Sequence, residues 1–382
     1  MIISSQRHLF SIPRDICYLN AAYMTPQTNA MLDAGNDGMA MRASPWLSGE
    51  KDFFPDVEAV RTLFATLISA QADDIAITPA ASYGIAVAAR NIKLKSGQAI
   101  VVLEEQFPSN IYSWQRMADE QQLNIITVAK PIDGNWTNAV LAVMEKSGEE
   151  IGLLALPACH WADGGFLDLI QISKQAKKIG AYLVLDLTQS LGALPFSVKD
   201  VDADYIAVGA YKWLFCPYSI GFLYVAPRHH NGVPLEENWI NRKGSENFAR
   251  LVDYVDDYQT GARRFDMGER ASFNLMPQAK ASLSQLLSWG VDNIAETIAD
   301  KNNTIRRIFE KFGFNDIYHN AQASNILGVE SKQALPTGFV GKLQAEGVRL
   351  SVRGNAIRIA PHVYNDDEDL DRLSAALQKS MS

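Results

Sequence analysis

The sequence predicts an α/β protein with one large, mostly parallel sheet, followed by a smaller α+β domain. Between residues 55 and 226, strand-like apolar runs alternate with segments of helical period. Several of these runs are continuously apolar, which is typical of strands covered on both faces. After about residue 270 the alternation stops, and a long helical stretch precedes shorter strand-like pieces. Ligands of parallel sheets bind where the strands end, so we expect the chemistry in the loops that follow them.

The elements are predicted in order from apolar runs and helical periodicity. The predicted strands are 75–78, 99–103, 124–129, 151–157, 181–187, 204–210 and 221–226. The predicted helices are 55–70, 82–92, 110–122 and 167–180, then a long helical stretch over 278–313 and a closing helix over 365–379. Residues 347–361 predict a hairpin with Gly354-Asn355 at its turn, because these residues accept positive φ angles. From the length of 382 residues we expect two domains, a large one of residues 14–270 and a small one of residues 271–382 together with 1–13.

The composition excludes several classes of function. The chain carries 35 Lys and Arg against 43 Asp and Glu, a net charge of −8 without a basic cluster. This balance argues against nucleic acid or an anionic membrane as partner, and it favours a small-molecule substrate. No apolar run approaches the roughly 20 residues of a membrane-spanning helix, and residues 1–15 lack the apolar core of a signal peptide. The widely separated Cys17, Cys159 and Cys216 fit a reducing compartment. We therefore expect a cytoplasmic protein without a metal site.

Lys212 is the only charged residue between Tyr205 and Pro227. Because burying an ammonium is costly, such a lysine either reaches back to solvent or has a lowered pKa and forms a Schiff base. Asp186 ends an apolar strand, where it either caps the next helix or serves a ligand. An acid at a strand end with a lone lysine further along is what a pyridoxal phosphate enzyme needs. The lysine carries the aldehyde and the acid pairs with the pyridinium nitrogen.

The segments DLTQS and GAYKWLFCPYSIGFLYV place Asp186, Gln189 and Lys212 three and then 23 residues apart. This pattern resembles the class V aminotransferase family, which includes cysteine desulfurases, selenocysteine lyases, kynureninases and isopenicillin epimerase-like proteins. The resemblance extends from 17–23 to 357–373. It implies the type I fold of pyridoxal phosphate enzymes, with a large, mostly parallel seven-stranded sheet domain and a smaller α+β C-terminal domain.

The resemblance also implies roles for the residues that bind pyridoxal 5'-phosphate. Lys212 would hold the cofactor as a Schiff base and later move the α-proton of the substrate. Asp186 would pair with the pyridinium nitrogen, and Gln189 would hydrogen-bond near the ring hydroxyl. Tyr211 would reach the phosphate, the alternative being an aromatic side chain packed in an apolar strand.

Two further segments match the family. In TPAASYG the small residues Ala81 and Ser82 open a helix, so that backbone N–H groups can approach the cofactor phosphate and the serine hydroxyl can add a donor. In EEQFPSNIYSWQ, Phe107 matches the aromatic residue that stacks on the pyridine ring, with core packing as the alternative.

The substrate-binding residues rest on the resemblance as well. Arg358 matches the arginine that binds the α-carboxylate, a group that a planar guanidinium fits well. Arg349 and Arg353 lie on the same predicted hairpin, and strand alternation alone does not choose among the three. Asn20 is predicted at the substrate entrance. His160 follows an apolar strand, where it serves in acid–base work or forms a pocket wall.

The resemblance implies a homodimer with composite active sites. In FDMGERASFN, Ser272 and Asn274 are candidate donors to the phosphate in the partner subunit. Trp239 resembles the kynureninase tryptophan that crosses to the neighbouring site.

We therefore expect an enzyme that acts on an α-amino acid through an external aldimine, by transamination or side-chain elimination. Persulfide-forming desulfurases carry a nucleophilic Cys shortly before the carboxylate-binding arginine, and no Cys follows Cys216 here. This absence argues against that activity. A kynureninase-like hydrolase stays open although Gln189 replaces the usual His, and so do a C–S lyase and a non-catalytic relative that binds the cofactor. A nicotinamide-dependent enzyme is disfavoured because no GxGxxG string occurs.

Overall fold

The structure is a computed structural model that describes residues 1–318, 321–353 and 356–381. Its strands are β1 (Cys17–Tyr18), β2 (Ile75–Thr78), β3 (Ala99–Leu103), β4 (Asn124–Val128), β5 (Ile151–Pro157), β6 (Tyr182–Asp186), β7 (Tyr205–Gly209), β8 (Gly221–Val225), β9 (Phe314–Asp316), β10 (Leu327–Ser331), β11 (Val348–Arg349), β12 (Ser351–Arg353) and β13 (Ala356–Ile359). Its α-helices are α1 (Asn29–Met41), α2 (Pro55–Leu67), α3 (Ala81–Asn91), α4 (Tyr112–Gln121), α5 (Trp136–Ser147), α6 (Leu169–Ile179), α7 (Leu275–Trp289), α8 (Val291–Lys311), α9 (Phe339–Ala345) and α10 (Asp367–Met381). The turn predicted at Gly354-Asn355 lies outside the described residues.

The helices differ from the prediction in two ways. Helices α1, α5 and α9 have no predicted counterpart. Helix α5 has a local start signal, because the Asn135 side chain accepts the N–H of Asn138 at 3.0 Å. The helical stretch predicted over 278–313 is two helices, since Gly290 has a φ of 78° and separates α7 from α8.

The large sheet contains seven of the described strands in the order β2-β8-β7-β6-β5-β3-β4. Strands β7, β6, β5, β3 and β4 are parallel, whereas β8 runs antiparallel to both of its neighbours. Apolar side chains of α2, α5, α6 and α7 cover one face, and those of α3 and α4 cover the other. Burial on both faces explains the continuously apolar strands and confirms the predicted α/β class.

The C-terminal part forms a second, antiparallel sheet with the order β12-β13-β10-β9 among the described strands. Strand β1 pairs in parallel with β11, so Cys17 lies beside Val348 and the N-terminal segment packs into this smaller core. The small α+β domain is thereby confirmed, while its predicted limits stay a prediction. Among the helices in the described ranges, none combines the length with the apolar composition of a membrane-spanning segment.

Candidate active site

A cavity of about 210 Å³ lies at the carboxyl ends of the central strands. Strand β5 ends at Pro157, β6 at Asp186 and β7 at Gly209, and all three residues line the cavity. This is the edge where parallel sheets bind ligands. The structure brings together there Ala81, Ser82, Phe107, Asp186, Gln189, Tyr211 and Lys212.

Lys212 lies on the turn that reverses the chain between β7 and β8. The Thr25 hydroxyl donates to its carbonyl oxygen at 2.5 Å, which fixes the turn against the N-terminal segment. The residue is 6% exposed, and its Nζ lies 5.5 Å from the ring centroid of Phe107 and 5.7 Å from that of Tyr211. Burial lowers the pKa of Lys212 to about 8, and the charge of Asp186 opposes this shift. The amine is therefore held close to the range in which it can both give and take a proton.

Asp186 is a buried carboxyl group whose Oδ1 accepts the N–H of Thr188 at 3.0 Å. The Thr188 hydroxyl in turn accepts the N–H of Gly209 at 2.9 Å, which ties the loop after β6 to the end of β7. Burial raises the pKa of Asp186, whereas Thr188 and Lys212 oppose the rise. A buried carboxylate in this position would be stabilised by a cationic N–H donor bound in the cavity.

Gln189 uses both ends of its amide inside the protein. Its Nε2 donates to the carbonyl of Ala22 at 3.0 Å, and its Oε1 accepts the indole N–H of Trp213 at 3.1 Å. The residue lines the cavity while it joins the N-terminal segment to the lysine turn. Its contact with the ring hydroxyl of a cofactor stays a prediction.

The start of α3 also lines the cavity. Ala80 precedes the helix and provides no side-chain cap, and the N–H groups of Ala81 and Ser82 have no acceptor in the described part of the chain. Free N–H groups at the first turn of a helix form an anion site, and Ser82 adds its hydroxyl. This end therefore suits a phosphate group.

An aromatic wall closes one side of the cavity. Phe107 and Trp161 pack edge to face, with ring centroids 5.4 Å apart and an interplanar angle of 77°. The indole N–H of Trp161 donates to the carbonyl of Glu105 at 2.8 Å, and Glu105 adopts a φ of 53° to present that carbonyl. Two loops that are distant in sequence thus build one wall, and Phe107 offers an aromatic surface to the cavity.

Arg358 and Asn20 do not line the cavity. Arg358 is 1% exposed, its Nη1 donates to the carbonyl of Trp161 at 2.7 Å, and its Nε has no partner within the described residues. Burial, followed by the charge of Arg353, lowers the pKa of Arg358 to about 10. Asn20 accepts a hydrogen bond from the Ser351 hydroxyl at 3.0 Å. Their predicted contacts with the substrate stay predictions.

His160 is fully buried and does not line the cavity. Its Nε2 donates to the carbonyl of Glu104 at 3.1 Å, its ring stacks on Trp136 at 5.2 Å, and its Nδ1 lies 3.3 Å from Asp163. Asp163 also accepts from Lys130 Nζ at 2.7 Å. Although burial raises the pKa of Asp163, His160 and Lys130 more than offset that and hold it well below its usual range. The cluster fixes the loop after β5, while substrate binding by His160 stays a prediction.

Trp239, Ser272 and Asn274 are not brought to the cavity of their own protomer. They line a separate surface cavity of about 290 Å³, where Trp239 packs edge-on against Phe53. The Ser272 hydroxyl donates to the Asn274 side chain at 2.9 Å, just before α7 begins. Their predicted contacts across a subunit interface stay predictions.

Thr188 and Tyr218 are among the residues of the site that sequence reasoning missed. Thr188 joins the ends of β6 and β7. Tyr218 lines the cavity, is 64% exposed, and lies 4.7 Å from the ring of Tyr211. Both lie inside the two segments that carry the family resemblance, so their position beside Asp186 and Lys212 was the available signal.

The cavity fits pyridoxal phosphate on its own chemistry. Lys212 offers an amine without a hydrogen-bond or ion-pair partner in the described residues. Asp186 offers a buried acid, Phe107 an aromatic face, and the start of α3 a set of free N–H donors. These four features complement the aldehyde, the ring nitrogen, the ring face and the phosphate of the cofactor.

Comparison with known proteins agrees with this fit. Residues 36–374 match the aminotransferase class-V family. The chain is 27% identical over 354 residues to YcbU of Bacillus subtilis (strain 168), named an uncharacterized aminotransferase, with 92% of this chain and 89% of YcbU covered. It is 25% identical over 358 residues to a kynureninase of Bacillus cereus (strain ATCC 10987 / NRS 248), with 88% and 80% covered.

Two similar solved structures have a like fold at low sequence identity. One is the cystine C–S lyase C-DES in complex with its reaction product cysteine persulfide, at a TM-score of 0.86 and 18% identity over 96% of this chain and 98% of that one. The other is the apo cysteine desulfurase from Thermococcus onnurineus NA1, at a TM-score of 0.83 and 16% identity over 100% and 99%. They support the type I fold. Because the family match spans most of the chain, this protein belongs to the aminotransferase class-V family and is a pyridoxal phosphate-dependent enzyme.

Proposed function

We propose that the protein acts on an α-amino acid, either by transamination or by elimination of a group from the side chain. The proposal rests on the Lys212 amine, which is buried at the cavity and has a pKa lowered to about 8. The amine also interacts electrostatically with Asp186. Bound pyridoxal phosphate supplies an electron sink for the charge that develops at the substrate Cα. A positioned amine with a pKa near the working pH is an effective acid and base for the proton on that carbon.

The other residues bind and orient. We assign Asp186 as the partner of the ring nitrogen of the cofactor, because it is a buried carboxyl group. We assign the N–H groups of Ala81 and Ser82 as donors to the cofactor phosphate, because they are free at the start of α3. Phe107 would cover one face of the pyridine ring of the cofactor. Arg358, with its unpartnered Nε, supports an assignment to the α-carboxylate. Together they hold the Cα–H bond of the substrate toward the Lys212 amine.

Persulfide formation is not part of the proposal. All three cysteines of the chain are buried. Cys159 lines the cavity, but burial raises the pKa of its thiol to about 12, so the reactive thiolate is scarce. A kynureninase-like hydrolysis remains the second candidate because kynureninases are among the relatives.

The first test is the near-visible absorption spectrum of the purified protein before and after borohydride, with peptide mapping of the reduced adduct. We expect a yellow protein whose cofactor becomes fixed to Lys212. A protein that stays colourless with added pyridoxal phosphate, or a Lys212→Ala variant with full turnover, would contradict the proposal.

Product analysis then separates the reactions. Transamination converts the cofactor to its amine form and needs a keto acid to restore the spectrum. Elimination releases ammonia with a keto acid and leaves the spectrum unchanged after turnover. Hydrolysis of kynurenine releases anthranilate, and the appearance of that product would replace the proposed reaction by the second candidate.

We also propose a homodimer with composite active sites. Trp46 and Tyr254 are among the large apolar side chains that are exposed to solvent. The segment that contains Trp46 and the segment that contains Tyr254 are neighbours, because Glu50 accepts the N–H of Phe248 at 3.1 Å. A large exposed apolar patch marks an interaction surface. Sedimentation should give twice the chain mass of 42.2 kDa. A monomer with full activity would contradict this.

A cytoplasmic location is proposed from the cysteines alone. Cys17, Cys159 and Cys216 are free thiols in the structure, which fits a reducing compartment. Fractionation of cells with an antibody against the protein tests the location.

A further inference from the structure

We propose that the substrate is an amino acid with a second anionic group on its side chain, and that Arg353 binds that group while Arg358 binds the α-carboxylate. This inference rests on the proposed function and names the substrate class of the same site. It follows from the register of two strands, from the charges that face one wall of the cavity, and from the absence of counter-charges on the described residues there.

The hairpin of β12 and β13 places both guanidinium groups on one side. Ser351 pairs with Arg358, and Arg353 pairs with Ala356. Residues directly opposite in an antiparallel pair share a face, and so do residues two apart on one strand. Arg353 and Arg358 are therefore diagonal neighbours on one face, with Cβ atoms about 7–8 Å apart. Asn20 lies on this face too, because it accepts the Ser351 hydroxyl.

Trp161 connects this face to the cavity. Its carbonyl accepts Arg358 Nη1 at 2.7 Å, and the Arg353 guanidinium lies 5.8 Å from the centroid of its ring. Trp161 itself lines the cavity beside Phe107. Both guanidinium groups therefore contact the residue that forms this wall, and a substrate that reaches past the Trp161 ring would come to them.

Neither arginine is neutralised. Within the described ranges no carboxylate lies at ion-pair distance from Arg353 or Arg358, and Arg353 Nη1 donates to the carbonyl of Val352. The charges of both arginines lower the pKa of Lys212, and that of Arg353 lowers the pKa of Arg358. The protein therefore gathers mutually repelling cations at this wall although its net charge is −8.

A dianion relieves this repulsion better than a monoanion does. One carboxylate can pair with the buried Arg358, which leaves Arg353, half-buried beside Trp161, without an anion. A second carboxylate or sulfinate, one or two methylene groups away, reaches the second guanidinium and forms a charge-assisted pair. Aspartate, glutamate and their sulfinate analogues have this chemistry.

The test measures binding of unreactive diacids to the enzyme loaded with pyridoxal phosphate. Glutarate and butyrate are titrated by calorimetry at one ionic strength, with wild type, Arg353→Met, Arg353→Lys and Arg349→Met. Arg349 is the matched control, because its guanidinium donates to the carbonyl of Gln344 on a neighbouring segment. We expect glutarate to bind wild type roughly tenfold more tightly than butyrate, as one charged hydrogen-bonded pair provides. Arg353→Met should remove that preference, Arg353→Lys should restore part of it, and Arg349→Met should keep it.

Equal affinity of wild type for glutarate and butyrate would overturn the inference. The inference would also be overturned if Arg349→Met lost the preference for glutarate over butyrate as fully as Arg353→Met. The preference would then come from the overall positive charge of the hairpin and not from a contact with Arg353. These outcomes are distinct from a failure of the proposed function, in which borohydride fixes no cofactor to Lys212. If alanine shifts the cofactor spectrum but diacids show no advantage, the function stands and only the second anion site falls.

Discussion

The Lys212 amine illustrates how the site depends on the environment of single residues. Desolvation lowers its pKa, Asp186 raises it, and Arg358 lowers it again. The balance leaves a group that is chemically available near neutral pH, which an exposed lysine is not. The same balance affects the stability of the protein without its cofactor.

We expect the apoprotein to gain stability from Lys212 as pH rises from about 8 to 10.5. The folded-state pKa is about 8 and the ordinary value is 10.5, so the unfolded chain binds more protons over this window. Lys212→Met should remove the gain, as measured by urea unfolding at several pH values. Lys177→Met is the control, because Lys177 is exposed and paired with Asp202. If Lys212→Met showed the wild-type rise, the lowered pKa would be wrong.

The residues of the site were predictable where they break a local pattern. A lone charge in an apolar run identifies Lys212, and an acid at a strand end identifies Asp186. The pairing of Trp161 with Arg353 and Arg358 has no such local signal, because it depends on the register of β12 against β13 and on the loop after β5. Long-range register is not encoded in any short segment.

Helix α1 shows, at the scale of an element, the same limit of prediction from local sequence. Gly35 and Gly38 make its sequence a poor helix former. Gly35 faces α7, where an added Cβ would lie 2.2 Å from Gln278, and Gly38 faces the backbone just before α7, where an added Cβ would lie 1.9 Å from the carbonyl oxygen of Phe273. Packing against a distant helix therefore outweighs the local propensity, and only the tertiary structure reveals it. By contrast, the inner strands of the large sheet were predictable because burial on both faces makes them largely apolar, whereas the edge strand β4 is mostly exposed and mixed in composition.

The change Gly38→Ala should destabilise the protein by about 2 kcal/mol or more, because the new methyl group must displace backbone at Phe273. Gly341→Ala in α9 is the matched control, since no atom lies within 4 Å of its added Cβ. That control should be neutral or stabilise by up to about 1 kcal/mol, because alanine is the better helix former. Urea unfolding of both variants compares them. Equal effects would mean that α1 does not pack on α7 as described.

At the scale of the whole molecule, the cofactor links the parts of the fold. The cavity gathers residues from the loops after β2, β3, β5, β6 and β7, and these loops hold an acid, an amine and free N–H donors that a ligand can satisfy. A ligand that binds only the folded state stabilises it by mass action.

Removal of the cofactor should therefore lower the melting temperature. Added pyridoxal phosphate should raise the free energy of unfolding by about 2.7 kcal/mol at one hundred times its dissociation constant. Pyridoxal without its phosphate is the control, and it should raise the melting temperature less because the start of α3 gains no anion. Differential scanning calorimetry measures the melting temperature with each of the two compounds. A melting temperature that does not change with the phosphorylated cofactor would show that the cavity does not bind it.

The N-terminal segment has a mechanical consequence for this site. Asn20 bridges to Ala360 at the end of the small sheet, and Thr25 holds the Lys212 carbonyl in the large domain. Five residue steps connect these attachments, and even a fully extended chain spans only about 18 Å over that length. Residues 20–25 are thus a short tether that limits how far the Arg358 strand can move from the lysine turn. Lengthening the tether by insertions would be a direct way to vary the coupling between the two domains in graded steps.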